Sequence, residues 1–186
     1  MKTQSLATVG LALLAPGCVG SLQPTYIDSD IIYDGAELGV WEDSGSTAHA
    51  VVRQADATGY AITFTDEDGQ TAEFTGHLAR GSGFELLDVE PASLPRSLQE
   101  TFRSHYFPLH SFFFVTRTAG RVALRIPDRD SLAAYLTHHP EAVAHVRRND
   151  EVLLTAPPLV LRAFLETYRR RPGVLGDSLV WVRHRP

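Results

Sequence analysis

The sequence predicts an α+β fold: an antiparallel β-meander, curved or partly closed into a barrel, with two or three C-terminal helices packed on it. Three observations predict it. From Ala48 to Glu90, apolar and polar residues alternate with a period of two between short Gly- and Asp-rich turns. The run Tyr106–Thr116 (YFPLHSFFFVT) is the most apolar beyond residue 18, as expected of a central strand covered on both faces. From Pro127 onward the spacing of apolar residues becomes helical.

The strands justify themselves in order. Ala48–Gln54 is followed by Gly59–Thr65, which puts Tyr60, Ile62 and Phe64 on one face. Gln70–Ala79 answers with Ala72, Phe74, Gly76 and Leu78 inward, joined through Asp66-Glu67-Asp68-Gly69, where Gly69 is free to take a positive φ. That loop lacks the alternate-position ligands and closing Glu of an EF-hand, so no metal is expected there. A turn at Arg80–Gly83 leads to a strand over Phe84–Glu90, and Leu98–Arg103 suits a short helix between prolines and the central strand. The turn Thr118-Ala119-Gly120 then gives a hairpin with Arg121–Ile126.

The helices follow. Asp128 is placed to cap one that runs to His138 with Leu132, Tyr135 and Leu136 on its inner face. Pro140 suits the first position of a short helix through Val146, and Glu151–Thr155 returns to strand. Pro158–Arg171 reads as amphipathic, with Val160, Leu161, Phe164, Leu165 and Tyr168 inward and Arg169, Arg170 and Arg171 complementing the helix dipole. Ser178–Arg183 supplies a last strand.

Composition is that of one domain: 186 residues, 44% apolar, net charge −5 and a single cysteine, which rules out an internal disulfide. Charge is unevenly divided. Cys18–Pro91 carries fourteen acids against Arg53 and Arg80, whereas Ala92–Pro186 carries fourteen arginines against eight acids. The simplest account is that the two halves pack together and neutralise one another; a polyanion-binding second half is the sharper alternative.

The chain opens with Lys2 and an apolar run from Leu6 to Leu14, well short of the roughly 18–20 residues that cross a membrane. It ends at Leu14-Ala15-Pro16-Gly17-Cys18, which resembles the lipobox of bacterial lipoprotein precursors. The resemblance implies signal peptidase II recognition of Leu14, Ala15, Pro16 and Gly17, removal of residues 1–17, and diacylation of Cys18. It implies an exported protein held to membrane lipid through Cys18, facing the periplasm from the outer membrane in a Gram-negative envelope, because Val19 and not Asp follows the cysteine. Residues 18–27 are then the lipidated N-terminus and a short tether, and residues 28–186 a single globular domain.

Gly39-Val40-Trp41 resembles the G-x-W motif of lipocalins, in which the Trp plugs the closed end of a barrel. A search for chemistry finds none to pursue. His105, His110, His138, His139 and His145 stand at no metal-site spacing, Gly81-Ser82-Gly83 is no nucleophile elbow, and no phosphate loop or cofactor fingerprint occurs. No enzyme, metal, cofactor or nucleic-acid partner is expected. Two functions remain: a non-catalytic envelope lipoprotein whose domain meets an envelope protein partner, or a lipocalin-like carrier of a small apolar ligand. For the carrier, the candidate ligand or core aromatics are Trp41, Tyr60, Phe64, Phe74, Phe112 and Phe114. A closed barrel with an empty apolar interior favours the carrier, and an open sheet filled by the Leu132 and Phe164 helices favours the interaction domain.

Overall fold

A computed structural model describes residues 19–93, 107–148 and 151–184. The expected signal segment, including Leu14, Ala15, Pro16, Gly17 and Cys18, lies outside the described residues, as does the helix expected at Leu98–Arg103. The strands are β1 (Gly20–Ser21), β2 (Ile31–Ile32), β3 (Gly39–Asp43), β4 (His49–Gln54), β5 (Tyr60–Thr65), β6 (Thr71–Gly81), β7 (Phe84–Pro91), β8 (His110–Thr118), β9 (Arg121–Pro127), β10 (His145–Arg148), β11 (Glu151–Leu154) and β12 (Leu175–Arg183). Helix α1 spans Arg129–His138 and α2 spans Pro158–Tyr168.

Eight of these strands close on themselves. The meander runs β8-β7-β6-β5-β4-β3, continues through β12 to β9, and β9 pairs back onto β8, every pairing being antiparallel. Period-two strands with short turns build such a barrel because each hairpin partner is next in sequence; Gly69, at φ 78°, makes the β5–β6 turn. The exception is β12, which arrives last and fits between β3 and β9.

The second core lies outside the barrel. β8 forks: Phe114–Thr118 pair with β9, whereas His110 and Ser111 pair with β1, which in turn pairs in parallel with β11. Over this fork the outward side chains Leu86, Phe112 and Phe114 meet Leu132 and Leu136 of α1 and Leu161, Phe164, Leu165 and Tyr168 of α2. The all-apolar run of β8 is therefore covered on both faces, as expected. Asp128 Oδ1 accepts from Ser131 N at 2.8 Å at the start of α1, and Pro158 opens α2.

Three expectations are corrected. Residues 19–24 are not a tether: Val19 and Ser21 are 3% and 0% exposed, β1 is inserted between β8 and β11, and Leu22 N donates to Leu154 O at 2.8 Å. A short stretch with Gly20, Ser21, Gln23 and Pro24 reads as linker, but here the backbone of Gly20 and Ser21 joins β8 to β11. The helix expected from Pro140 to Val146 is a turn leading into β10, which pairs with β11; a seven-residue segment is too short to hold a helix alone, and the strand partner supplies its backbone bonds. Val160 is 47% exposed, so the buried face of α2 is set by Leu161, Phe164, Leu165 and Tyr168.

The two oppositely charged halves do bind each other. Arg117 pairs with Asp34, Glu37 and Glu85, Arg162 with Asp30, and His184 with Glu42.

Candidate functional site

Alternation around the barrel sends one side chain in two into its interior. β4 contributes Ala50 and Val52, β5 Tyr60, Ile62 and Phe64, β6 Phe74 and Leu78, and β7 Leu87 and Val89. β8 contributes Phe113, Val115 and Arg117, β9 Val122 and Leu124, and β12 Leu179 and Trp181. An eight-stranded barrel is just wide enough for such side chains to fill it or to leave room for one small ligand. Here they leave a cavity of about 140 Å³, lined almost wholly by apolar atoms. Gly76 keeps one wall thin, since a Cβ there would stand 2.8 Å from Ile62 Cδ1.

One end of the barrel is sealed. The segment between β2 and β3 crosses it, and β2 continues the β6 ladder at Leu78 and Ala79 beyond the last β5 pairing at Gly76. Arg117 locks this segment down. Its Nε and Nη2 donate to Glu85 at 2.8 and 3.1 Å, and Nη1 donates to Asp34 and Glu37, each at 2.9 Å. The hydrogen bonds from Arg117 hold the Glu85 carboxyl below its usual range, and the Ala36 amide together with Arg117 does the same for Asp34. The same carboxylates, Glu85 first, raise the Arg117 guanidinium although burial opposes it. Tyr60 is 2% exposed; its hydroxyl accepts from Asp34 N at 2.8 Å, and burial pushes its ionisation up.

Trp41 lies at this closed end, 5% exposed, with Nε1 donating to Glu37 O at 2.9 Å. The Arg183 guanidinium sits 4.8 Å over its ring and donates from Nη1 to Leu38 O at 2.8 Å. Gly39 makes room for it: φ is +136°, and a Cβ would stand 3.1 Å from Arg183 Nη1. The Gly and Trp of G-x-W thus act together, one admitting the arginine that the other stacks on.

At the opposite end no segment among the described residues is seen to cross the interior. There the β3–β4 and β5–β6 turns and the start of β12 surround Leu179, an inward residue that is nonetheless 46% exposed. Phe64 and Trp181 meet edge to face just inside, with ring centroids 6.0 Å apart.

Four of the six expected aromatics, Trp41, Tyr60, Phe64 and Phe74, line the cavity. Phe112 and Phe114 do not. They point outward into the helix-covered core, and Phe113 takes the interior position. In a run of three phenylalanines covered on both faces no polar residue marks the outer face, so the phase of alternation is invisible locally. Arg117, Arg183 and Trp181 were not singled out for the site. An arginine ending an apolar strand, or preceding the chain terminus, carries no signal of what it faces across a barrel.

A second polar cluster lies on the outer wall. Buried Asp88 accepts from Thr25 N and Oγ1 at 2.8 and 2.7 Å and contacts His110 Nδ1 at 2.7 Å. Burial lowers the basicity of His110, but the hydrogen bond and charge of Asp88, aided by Glu90, outweigh it and leave the ring more basic than usual. This cluster clamps the N-terminal segment to β7 and β8. Among the described residues no group of three His, Cys, Asp or Glu side chains gathers where it could hold a metal. No family model, curated protein or solved structure matches the chain.

Proposed function

We propose that this protein is an exported lipoprotein, anchored through Cys18, whose barrel carries a small apolar ligand. The observation that carries the proposal is the apolar cavity of about 140 Å³ inside a closed barrel. The two helices pack outside the barrel and leave its interior free, which favours a carrier over a domain whose helices fill an open sheet. Cavities of roughly 150 Å³ lined by aliphatic and aromatic side chains stay dry and take a benzene-sized guest, so the ligand portion inside is about six carbons. At about 0.8 kcal/mol per buried methylene, six contribute about 5 kcal/mol, a Kd on the order of 0.1–1 mM for the buried portion alone.

Titration of 1-hexanol while following tryptophan fluorescence tests the carrier, because Trp181 and Trp41 both line the cavity. Saturable binding is expected, weakened at least tenfold by Ala50→Phe, which fills the lumen. No saturable change in a protein shown to be folded by circular dichroism would overturn it. The anchor is tested separately by intact mass of protein from native membranes: a chain beginning at Cys18 with added diacylglycerol is expected, and an unmodified thiol would refute it.

A further inference from the structure

The proposed lipid anchor has almost no chain between it and the folded domain. Val19 is 3% exposed and packs in the helix-covered core, and Gly20 is paired on one side with Ser111 of β8 and on the other with Leu153 of β11. Cys18 is one residue earlier, and consecutive Cα atoms are about 3.8 Å apart. A diacylglyceryl group on its sulfur puts that residue in the headgroup layer, which is roughly 5–7 Å deep on each side of the hydrocarbon. The surface beside Val19 is therefore held at the bilayer, with no linker to lift it away.

The strand register identifies that surface. Gly20 lies opposite Leu153, and Leu153 opposite Val146 of β10, so β10 runs two strand spacings from the anchored strand, roughly 10 Å. These three residues share the face turned away from α1 and α2, because Val19 and Val152, the sequence neighbours of Gly20 and Leu153, point into the helical core. Apolar residues occupy that face: Val146 is 53% exposed, and Leu22, two residues on from Gly20, is 37% exposed. Arg147 and Arg148 are exposed on the same strand, with Glu151 opposite Arg148. An exposed valine beside arginines suits a membrane interface, where the arginine stems lie on apolar surface and the guanidinium groups reach phosphate.

Resting on the lipoprotein reading, we propose that the flank formed by β1, β11 and β10 docks on the lipid surface, with Val146 in the headgroup layer of the bilayer that holds Cys18. A thioether-linked Cys18 leaves no free thiol, so Val146→Cys takes a single fluorescent label. Arg53→Cys, at an exposed position of β4 on the far side of the barrel from β8, takes the same label as a control. Each protein is purified from native membranes, checked by intact mass for the diacylglyceryl anchor, and reconstituted into phosphatidylcholine vesicles with and without lipid carrying a nitroxide near the headgroup. The label at position 146 is expected to be quenched at least threefold more than the label at position 53. Equal quenching at the two positions in a chain of anchored mass would overturn the docking and leave the anchor standing. An unquenched label at position 146, together with a concentration-dependent dimer in detergent, would overturn it in favour of a second copy on the β10 edge. An unmodified thiol on residue 18 would overturn both the docking and the anchor.

Discussion

Arg117 shows how much one side chain settles. It is 19% exposed and holds three carboxylates from two separate segments, so Arg117→Met leaves Asp34, Glu37 and Glu85 facing one another over the cavity. Breaking such a pair when buried costs about 3–5 kcal/mol; with the Asp34 side chain itself 43% exposed, about 2 kcal/mol is expected in urea unfolding at pH 7. The pH dependence has a definite sign. Glu85 and Asp34 are held below their usual values of 4.5 and 3.8, so their contribution is present above that range and lost as pH falls through the lowered folded values. Unfolding measured from pH 7 to pH 3 should therefore show a steeper loss in the native chain than in Arg117→Met. His110 runs the other way. Its folded value is raised above 6.5, so its stabilisation is full below pH 6.5 and fades as pH rises through the folded value. His110→Gln should flatten the stability profile between pH 6 and 9, and no change in slope there would refute the Asp88 pairing.

At the scale of elements, β8 separates two jobs that its sequence runs together. Phe112 is 1% exposed beneath α1 and α2, and Phe113 is 3% exposed within the barrel. Phe112→Ala should cost about 3–5 kcal/mol by opening a cavity in the outer core, with ligand affinity of the folded protein unchanged. Phe113→Ala should instead enlarge the lumen and shift preference toward longer or bulkier guests, which a 1-hexanol to 1-decanol series would measure. β1 makes a different demand. It contributes two residues, yet it fills the gap between β8 and β11 and leads to Thr25, whose amide and hydroxyl satisfy Asp88. Thr25→Val should cost about 1–3 kcal/mol by stripping a donor from a buried carboxylate, and hydrogen exchange should find the Leu22 amide protected. Rapid exchange at Leu22 would return residues 19–24 to the role of a loose tether.

For the whole molecule, closure is what turns a meander into a container. β8 and β9 are a local hairpin, so the barrel closes only when the last strand, β12, arrives between β3 and β9. Ligand binding is then linked to folding, since an unfolded chain has no lumen. At a ligand concentration ten times Kd the native state gains about 1.4 kcal/mol, which for a chain of this size raises Tm by about 3–6 °C. A thermal melt in 1-hexanol checks this, and Ala50→Phe should show no such rise.

The sequence by itself determined the antiparallel meander, its hairpin order and the two helices, because period-two alternation, turn glycines and the Asp128 cap are local physics that each segment carries alone. It also placed Tyr60, Phe64 and Phe74 on inner faces through the period-two alternation of their strands, and singled out Trp41 through the G-x-W resemblance. Tertiary structure decided the rest. Whether the curved sheet closes depends on β12 pairing with both β3 and β9, and its β3 partner lies about 140 positions away in the chain, a relation no local pattern encodes. Which phenylalanine of Phe112, Phe113 and Phe114 faces the lumen depends on what covers the other side. Gly20 and Ser21 become a strand only because β8 and β11 present a gap for them. Arg117 and Arg183 became part of the closed end only when residues over sixty positions away in the chain folded across them.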